Sequence, residues 1–197
     1  MGLLKGAVGI SRYKVEGKLP EGFWEWLNQR IKQNIFMDIE GSTVDKSLGW
    51  VSAHDYFDAD FAFESYNLSP YVVLGLRQDK RSVPASLVRK YHRLEIKQFR
   101  ELQPTAKLSK PDREMLKEKA RLMLLTRIPP QTTTWEMSWN TMSNEVWFTT
   151  SSRGNLEISV ELFAKSFQPL FLTPRLPYLS AGQVVSPARL DLLTPVS

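Results

Sequence analysis

The chain has 197 residues, with 26 Lys plus Arg against 21 Asp plus Glu and no cysteine. That length is enough for one ordinary domain or two small ones with a real core, and a composition 42% hydrophobic and 24% charged is that of a globular protein rather than a disordered or fibrous one. The lack of cysteine excludes disulfides, thiolate zinc sites and a cysteine nucleophile. No uninterrupted apolar run approaches the ~18 residues that span a bilayer. Lys5 follows Leu3-Leu4 too soon for a signal-peptide apolar region of ~7–15 residues, and Gly6 breaks the myristoylation pattern. The expectation is a soluble, cytoplasmic protein.

Taken in chain order, Val8, Ile10, Tyr13 and Val15 predict a first strand within residues 3–15, ended by the turn signal Gly17-Lys18-Leu19-Pro20. Residues 21–35 have helical periodicity, with Phe23, Trp26, Leu27, Ile31 and Ile35 near one face. Residues 38–48 read as a loop and Leu48 to Ala53 as a short strand. Residues 54–69 are acidic, aromatic and poorly periodic. Tyr71 to Leu76 is a β-rich apolar run and predicts a buried strand.

Val83 to Leu102 reads as a long helix. Leu87, Val88, Tyr91, Leu94, Phe99 and Leu102 share a broad face that only Ile96 breaks, while Arg89, Arg93, Lys97 and Arg100 stack on the opposite one. Ser109, Pro111 and Asp112 then form the signature of a capped helix start. That second helix runs to about Thr126 before Pro129-Pro130, with Arg113, Lys117 and Arg121 at four-residue spacing. Thr132 to Trp139 and Glu145 to Thr150 predict a hairpin through residues 140–144. Asn155 to Phe167 predicts an amphipathic helix carrying Leu156, Val160, Phe163 and Phe167, and Pro169 to Leu172 a last strand. The order of elements indicates an α+β fold: a mainly antiparallel sheet with helices on one face or end, and a basic two-helix insertion. One domain is expected over residues 1–178, with the basic pair at about 83–126. The Pro-containing segment 179–197 is expected to be extended or disordered.

The net charge of +5 is unevenly placed. Lys80 to Arg127 holds 14 basic and 5 acidic residues, and the remainder of the chain is net acidic. Asp38, Glu40, Asp45, Asp55, Asp58, Asp60 and Glu64 face only Lys46 between Phe36 and Tyr66. A basic block on a rigid helical pair is the footprint of polyanion binding, or of a merely solvated face. No zinc-finger, basic-zipper or RNA-recognition signature accompanies it, so the pattern favours phosphate contact without base readout.

Enzymatic chemistry has thinner support. There are two histidines, no Gly-x-Ser-x-Gly and no phosphate-binding Gly-rich loop. His92 sits inside the basic helix and reads as solvated or phosphate-facing. His54, Asp55, Asp58 and Asp60 are the one group whose residue types suit Mg²⁺, as in a metal-dependent nuclease, but their spacing matches no metal motif and an acidic surface loop explains them better. Glu95-Ile96-Lys97 has the Glu-x-Lys form of a nuclease motif but falls mid-helix rather than on a strand. Among the aromatics, Trp24 and Trp50 are the least tied to a packing role and hence the candidates for base stacking. Three readings stay open: a DNA-binding accessory protein using Arg89, Arg93, Lys97, Arg100, Arg113, Lys117 and Arg121; a metal-dependent nuclease using Asp55, Asp58 and Asp60; and a protein-interaction module whose basic stripe meets an acidic partner.

The order of motifs resembles the RdgC family of recombination-associated DNA-binding proteins. The likeness is carried by an N-terminal strand and helix, Gly49-Trp50-Val51, the apolar strand, Lys80-Arg81-Ser82-Val83-Pro84, and the long helix. It continues through Leu108-Ser109-Lys110-Pro111-Asp112-Arg113-Glu114, Leu116-Lys117-Glu118 and Leu124-Leu125-Thr126-Arg127, and then the Trp-containing strand. It covers roughly residues 1–178. The chain departs from the family pattern where Ile128-Pro129-Pro130 follows Arg127 in place of Arg-Ala-Phe. The family also has a further C-terminal region where this chain has its Pro-rich segment. The resemblance implies a non-enzymatic protein without metal or cofactor, a nucleoid-associated homodimer that binds duplex DNA with little sequence preference. It also implies a ring-shaped dimer that limits access of the RecA recombinase to DNA. Carried onto this sequence, it adds Lys80, Arg81, Lys90, Lys110 and Arg127 to the candidate DNA contacts.

Overall fold

The computed structural model describes residues 9–175. The expectations for residues 3–8 and for the 179–197 segment lie outside the described residues. The fold is α+β with an antiparallel sheet, as expected. The elements are β1 (Ser11–Glu16), α1 (Phe23–Gln33), β2 (Lys46–Val51), α2 (Phe63–Tyr66), β3 (Asn67–Leu68), β4 (Tyr71–Lys80), α3 (Ala85–Leu102), α4 (Lys110–Arg127), β5 (Gln131–Asn140), β6 (Glu145–Phe148), α5 (Arg153–Phe167) and β7 (Phe171–Pro174). The strands lie in the order β2-β4-β5-β6-β1-β7, with β3 on β4. The ladders β3–β4, β5–β6, β6–β1 and β1–β7 are antiparallel. No helix among the described residues is long and apolar enough to cross a membrane.

The chain divides into two compact units. Among the described residues, one comprises 9–36, Gly49–Arg77 and 134–175; the other comprises Met37–Leu48 and Gln78–Thr133. In the first, period-two alternation turns Trp135, Met137 and Trp139 of β5 to one face, where all three are buried. Helices α1 and α5 cover that face. The Trp139 ring meets Phe23 of α1 at 5.4 Å and Phe163 and Phe167 of α5 at 5.5 and 5.7 Å. The α5 face differs from the expected one. Ser159, Leu162, Phe163, Ser166 and Phe167 are buried, whereas Leu156 and Val160 are only half-buried. The two serines turn inward because each accepts an indole N–H: Trp135 Nε1 donates to Ser159 Oγ at 2.7 Å, and Trp50 Nε1 to Ser166 Oγ at 2.8 Å. Trp50 is therefore fully buried and not a stacking platform. Trp24 is half-buried, edge-on to Phe63 at 6.0 Å.

Gly49 allows β2 to reach the end of α1. Phe36 N donates to Trp50 O at 2.9 Å and Trp50 N to Asn34 O at 3.0 Å, and a Cβ on residue 49 would run into the backbone of Ile35 and Phe36. On the other face of β4 and β5, Gly75, Arg77 and Glu136 are buried beneath the 52–60 loop. The Arg77 guanidinium lies 4.2 Å from the Phe36 ring and 4.9 Å from that of Phe57, and Tyr56 Oη donates to Glu136 at 2.7 Å. Burial, reinforced by that carboxylate, pushes the Tyr56 hydroxyl well above its ordinary pKa. Gly49→Ala is expected to destabilise the protein by about 1–3 kcal/mol through overpacking against backbone that cannot yield. Urea unfolding measures it, and a wild-type midpoint would show that the approach of β2 to α1 is not tight.

Candidate nucleic-acid interface

In the second unit, α3 and α4 form an antiparallel hairpin across the 103–109 connection. Pro84, with its φ of −59°, precedes the first turn of α3. Ser109 caps α4 by a reciprocal pair: Asp112 N donates to Ser109 Oγ at 3.3 Å, and Ser109 N donates to Asp112 Oδ2 at 2.9 Å. The expected capping box is thus present. Hydrogen bonds from Ser109, side chain first and backbone second, hold the Asp112 carboxyl below the usual carboxylate range.

The seam of α3 is Val88, Tyr91, His92, Glu95, Ile96 and Phe99, all half-buried, and no side chain of the helix is fully buried. This corrects the expected face. Leu94 and Leu102 are 51% and 75% exposed, while Ile96, expected to break the pattern, belongs to it. A single partner helix covers only a narrow stripe, and Glu95 occupies its middle by accepting from Lys119 Nζ at 2.6 Å. On α4 the buried row is Leu116, Ala120, Leu124 and Leu125. Arg113, Lys117 and Arg121 run beside that row rather than opposite it.

The expected cations divide by what they already hold. Arg81 is 5% exposed: its Nη1 donates to Ser42 O at 2.7 Å and Val44 O at 3.3 Å, and its Nη2 to Ile39 O at 2.9 Å. It is a corrected candidate, since those loop carbonyls lack strand partners and the guanidinium satisfies them. Arg121 reaches Asp45 at 2.9 Å and Glu118 at 3.1 Å, Lys117 lies 3.7 Å from Glu114, and Lys97 lies 3.9 Å from Glu101. Arg89, Lys90, Arg93 and Arg100 on α3, Lys110, Arg113 and Arg127 on α4, and Lys80 at the end of β4 are exposed. None of these eight has an acidic partner among the described residues. Lys90 Nζ sits 6.0 Å over the ring of Tyr91. Lys107, in the connection, is another exposed cation. It lies inside the same basic block but in the connection, outside the helical stripes and the family motifs that mark the other cations.

At 100° per residue, Arg89, Lys90, Arg93, Lys97 and Arg100 fall within one arc of about 100°, shared only with Ser86 and running about 16 Å along the axis. Two shallow depressions lie on this face. One is lined by Ser86, Arg89, Lys90, Arg93 and Leu94, the other by Arg93, Ile96, Lys97, Arg100 and Glu101. A row of exposed cations on a rigid helix can hold successive anionic groups. The arc contains no Asn or Gln to read base edges by the usual paired hydrogen bonds.

The acidic candidates form a different kind of structure. Asp55 Oδ1 accepts from Phe57 N and Asp58 Oδ1 from Asp60 N, both at 2.9 Å, and His54 N donates to Ser52 Oγ at 3.2 Å. The carboxylates close turns in their own loop, and among the described residues no group of three or more His, Asp or Glu could hold a metal ion. Glu95 and Lys97 of the Glu-x-Lys sequence are turned to Lys119 and Glu101 respectively. Ser109→Ala is expected to lower the melting temperature at pH 7. The native carboxyl pKa is depressed, so the Asp112 contribution is present above the ordinary carboxylate pKa and is lost as pH falls through the native value. The variant's deficit should therefore shrink in acid, and melting curves at pH 7 and pH 3 check the sign.

In comparisons with known proteins, residues 10–184 match the family RdgC, described as "Putative exonuclease, RdgC". No curated protein matches the chain.

Proposed function

The chain belongs to the RdgC family, and from that membership and the cations of α3 we propose that it is a DNA-binding accessory protein of recombination and replication. It acts at the nucleoid by holding duplex phosphates with little regard to sequence, as a homodimer, without cutting the strand. The observation that carries this reading is the set Arg89, Lys90, Arg93 and Arg100. These four side chains share one arc of a rigid helix, are exposed, and have no acidic partner among the described residues. Lys80, Lys107, Lys110, Arg113 and Arg127 add positive field around the hairpin. Lys117 and Arg121 contribute less, because a phosphate has to displace Glu114, or Glu118 and Asp45, to reach them.

Fluorescence anisotropy of labelled duplexes of unrelated sequence across a salt series tests the proposal. Three to four phosphates held per chain give a log–log slope of about −3 to −3.5 for each chain, and about twice that for the homodimer. Arg89→Ala and Arg100→Ala are each expected to weaken binding alike on every sequence and to reduce the slope by about 1 per chain. Sequence-dependent losses, or no binding at low salt, would overturn it; the latter together with tight self-association would make the basic face a protein-docking surface. Asp45→Asn is expected to strengthen binding and steepen the slope by up to about 1, because Arg121 loses its nearer carboxylate. An unchanged slope would mean that Glu118 alone keeps Arg121 occupied.

The family description names an exonuclease, which is a second reading. Incubation of end-labelled duplex with Mg²⁺ separates the two. Intact DNA is expected, and metal-dependent shortening abolished by Asp58→Ala would establish the nuclease instead.

A further inference from the structure

The exposed cations of α3 form a line rather than a patch. Arg89, Arg93 and Lys97 climb the axis in steps of about 6 Å, comparable with the separation of neighbouring phosphates along one strand. Mid-helix on α4, Lys117, Lys119 and Arg121 are engaged with Glu114, with Glu95, and with Glu118 and Asp45, so the hairpin offers no second parallel line there. The two depressions on the α3 face share one side chain, Arg93. Arg89 and Lys90 complete the first and Arg100 the second, while Lys97 of the second is shared with Glu101 at 3.9 Å. A guanidinium carries five donors in a planar fork and can serve two anions at once; an ammonium is a compact point charge that serves one well.

We propose that Arg93 bridges two successive phosphates of a single nucleic-acid strand, one in each depression, and that α3 therefore follows one strand rather than spanning both. The proposal rests on the DNA-binding reading above. Arg93 is exposed and makes no hydrogen bond or ion pair among the described residues, so replacing it leaves the fold intact.

The test is anisotropy titration of Arg93→Lys, Arg89→Lys and Arg100→Lys with a labelled duplex and with one of its strands alone, each across a salt series. All three variants keep their charge, so all three keep the wild-type salt slope. Arg93→Lys is expected to bind about tenfold more weakly, the value of one charged hydrogen bond, while the other two stay within about twofold of wild type. The penalty is expected to be the same on the single strand as on the duplex. Equal effects of the three substitutions would overturn the bridging role, and a penalty confined to the duplex would overturn the assignment to one strand. If the triple Arg89→Ala, Arg93→Ala, Arg100→Ala variant binds like wild type, α3 is not the DNA-contacting face, whereas the DNA-binding reading itself fails only if the wild-type protein binds neither probe at low salt; each result is distinct from the others.

Discussion

The first unit depends on the satisfaction of two indole N–H groups inside an apolar layer. Trp50 and Trp135 are each almost completely buried, and an unpaired N–H there costs roughly 1–3 kcal/mol. Ser166 and Ser159 of α5 accept those hydrogen bonds, and Ser159 in turn donates to Asn155 O at 2.7 Å. These two bonds let the serine side of α5 enter the apolar layer together with Leu162, Phe163 and Phe167. With that face set, Phe163 and Phe167 interleave with Trp139, and Phe167 reaches Trp26 of α1 at 6.0 Å. The rings meet at tilted or edge-on angles, as aromatic quadrupoles favour.

The second unit is organised by a different constraint, the disposal of many like charges on a slim two-helix element. Acidic residues are few there, and the fold places them selectively. Glu95 enters the helix–helix seam, Glu114 and Glu118 lie one turn from their partners, and Asp45 comes from the 37–48 segment. All of these but Glu95 serve α4 alone, and Glu95 is itself spent on Lys119 of α4. Apart from Lys97 beside Glu101, the outer arc of α3 is left positive and unpaired, which makes it the part of the hairpin suited to an anionic polymer. Surface ion pairs of this kind are worth little as stability, and their consequence here is the choice of which cations remain available.

Much of this was legible in the sequence because it is local. The capping box needs only Ser109 and Asp112 three residues apart, the β5–β6 hairpin only two β-rich runs around a short polar loop, and the long basic helix only its period. The seam of α3 was not legible. Leu94 outranks Glu95 on any hydropathy scale, and only the presence of Lys119 across the hairpin makes Glu95 the better occupant. For the same reason the burial of Ser159 and Ser166 on α5 could not be read from periodicity, since it depends on indole partners distant in sequence.

The sequence by itself determined the α+β class, the order of the longer elements, the family and the concentration of net positive charge in residues 80–127, since these follow from composition, periodicity and motif order along the chain. Only the tertiary structure decided which of those charges are free. Arg81 and Arg93 are chemically identical and both lie in the basic block, yet one is buried against three carbonyls of the 39–44 loop and the other stands exposed on a helix. A side chain's availability depends on partners distant in sequence, and neither spacing nor charge count carries that information.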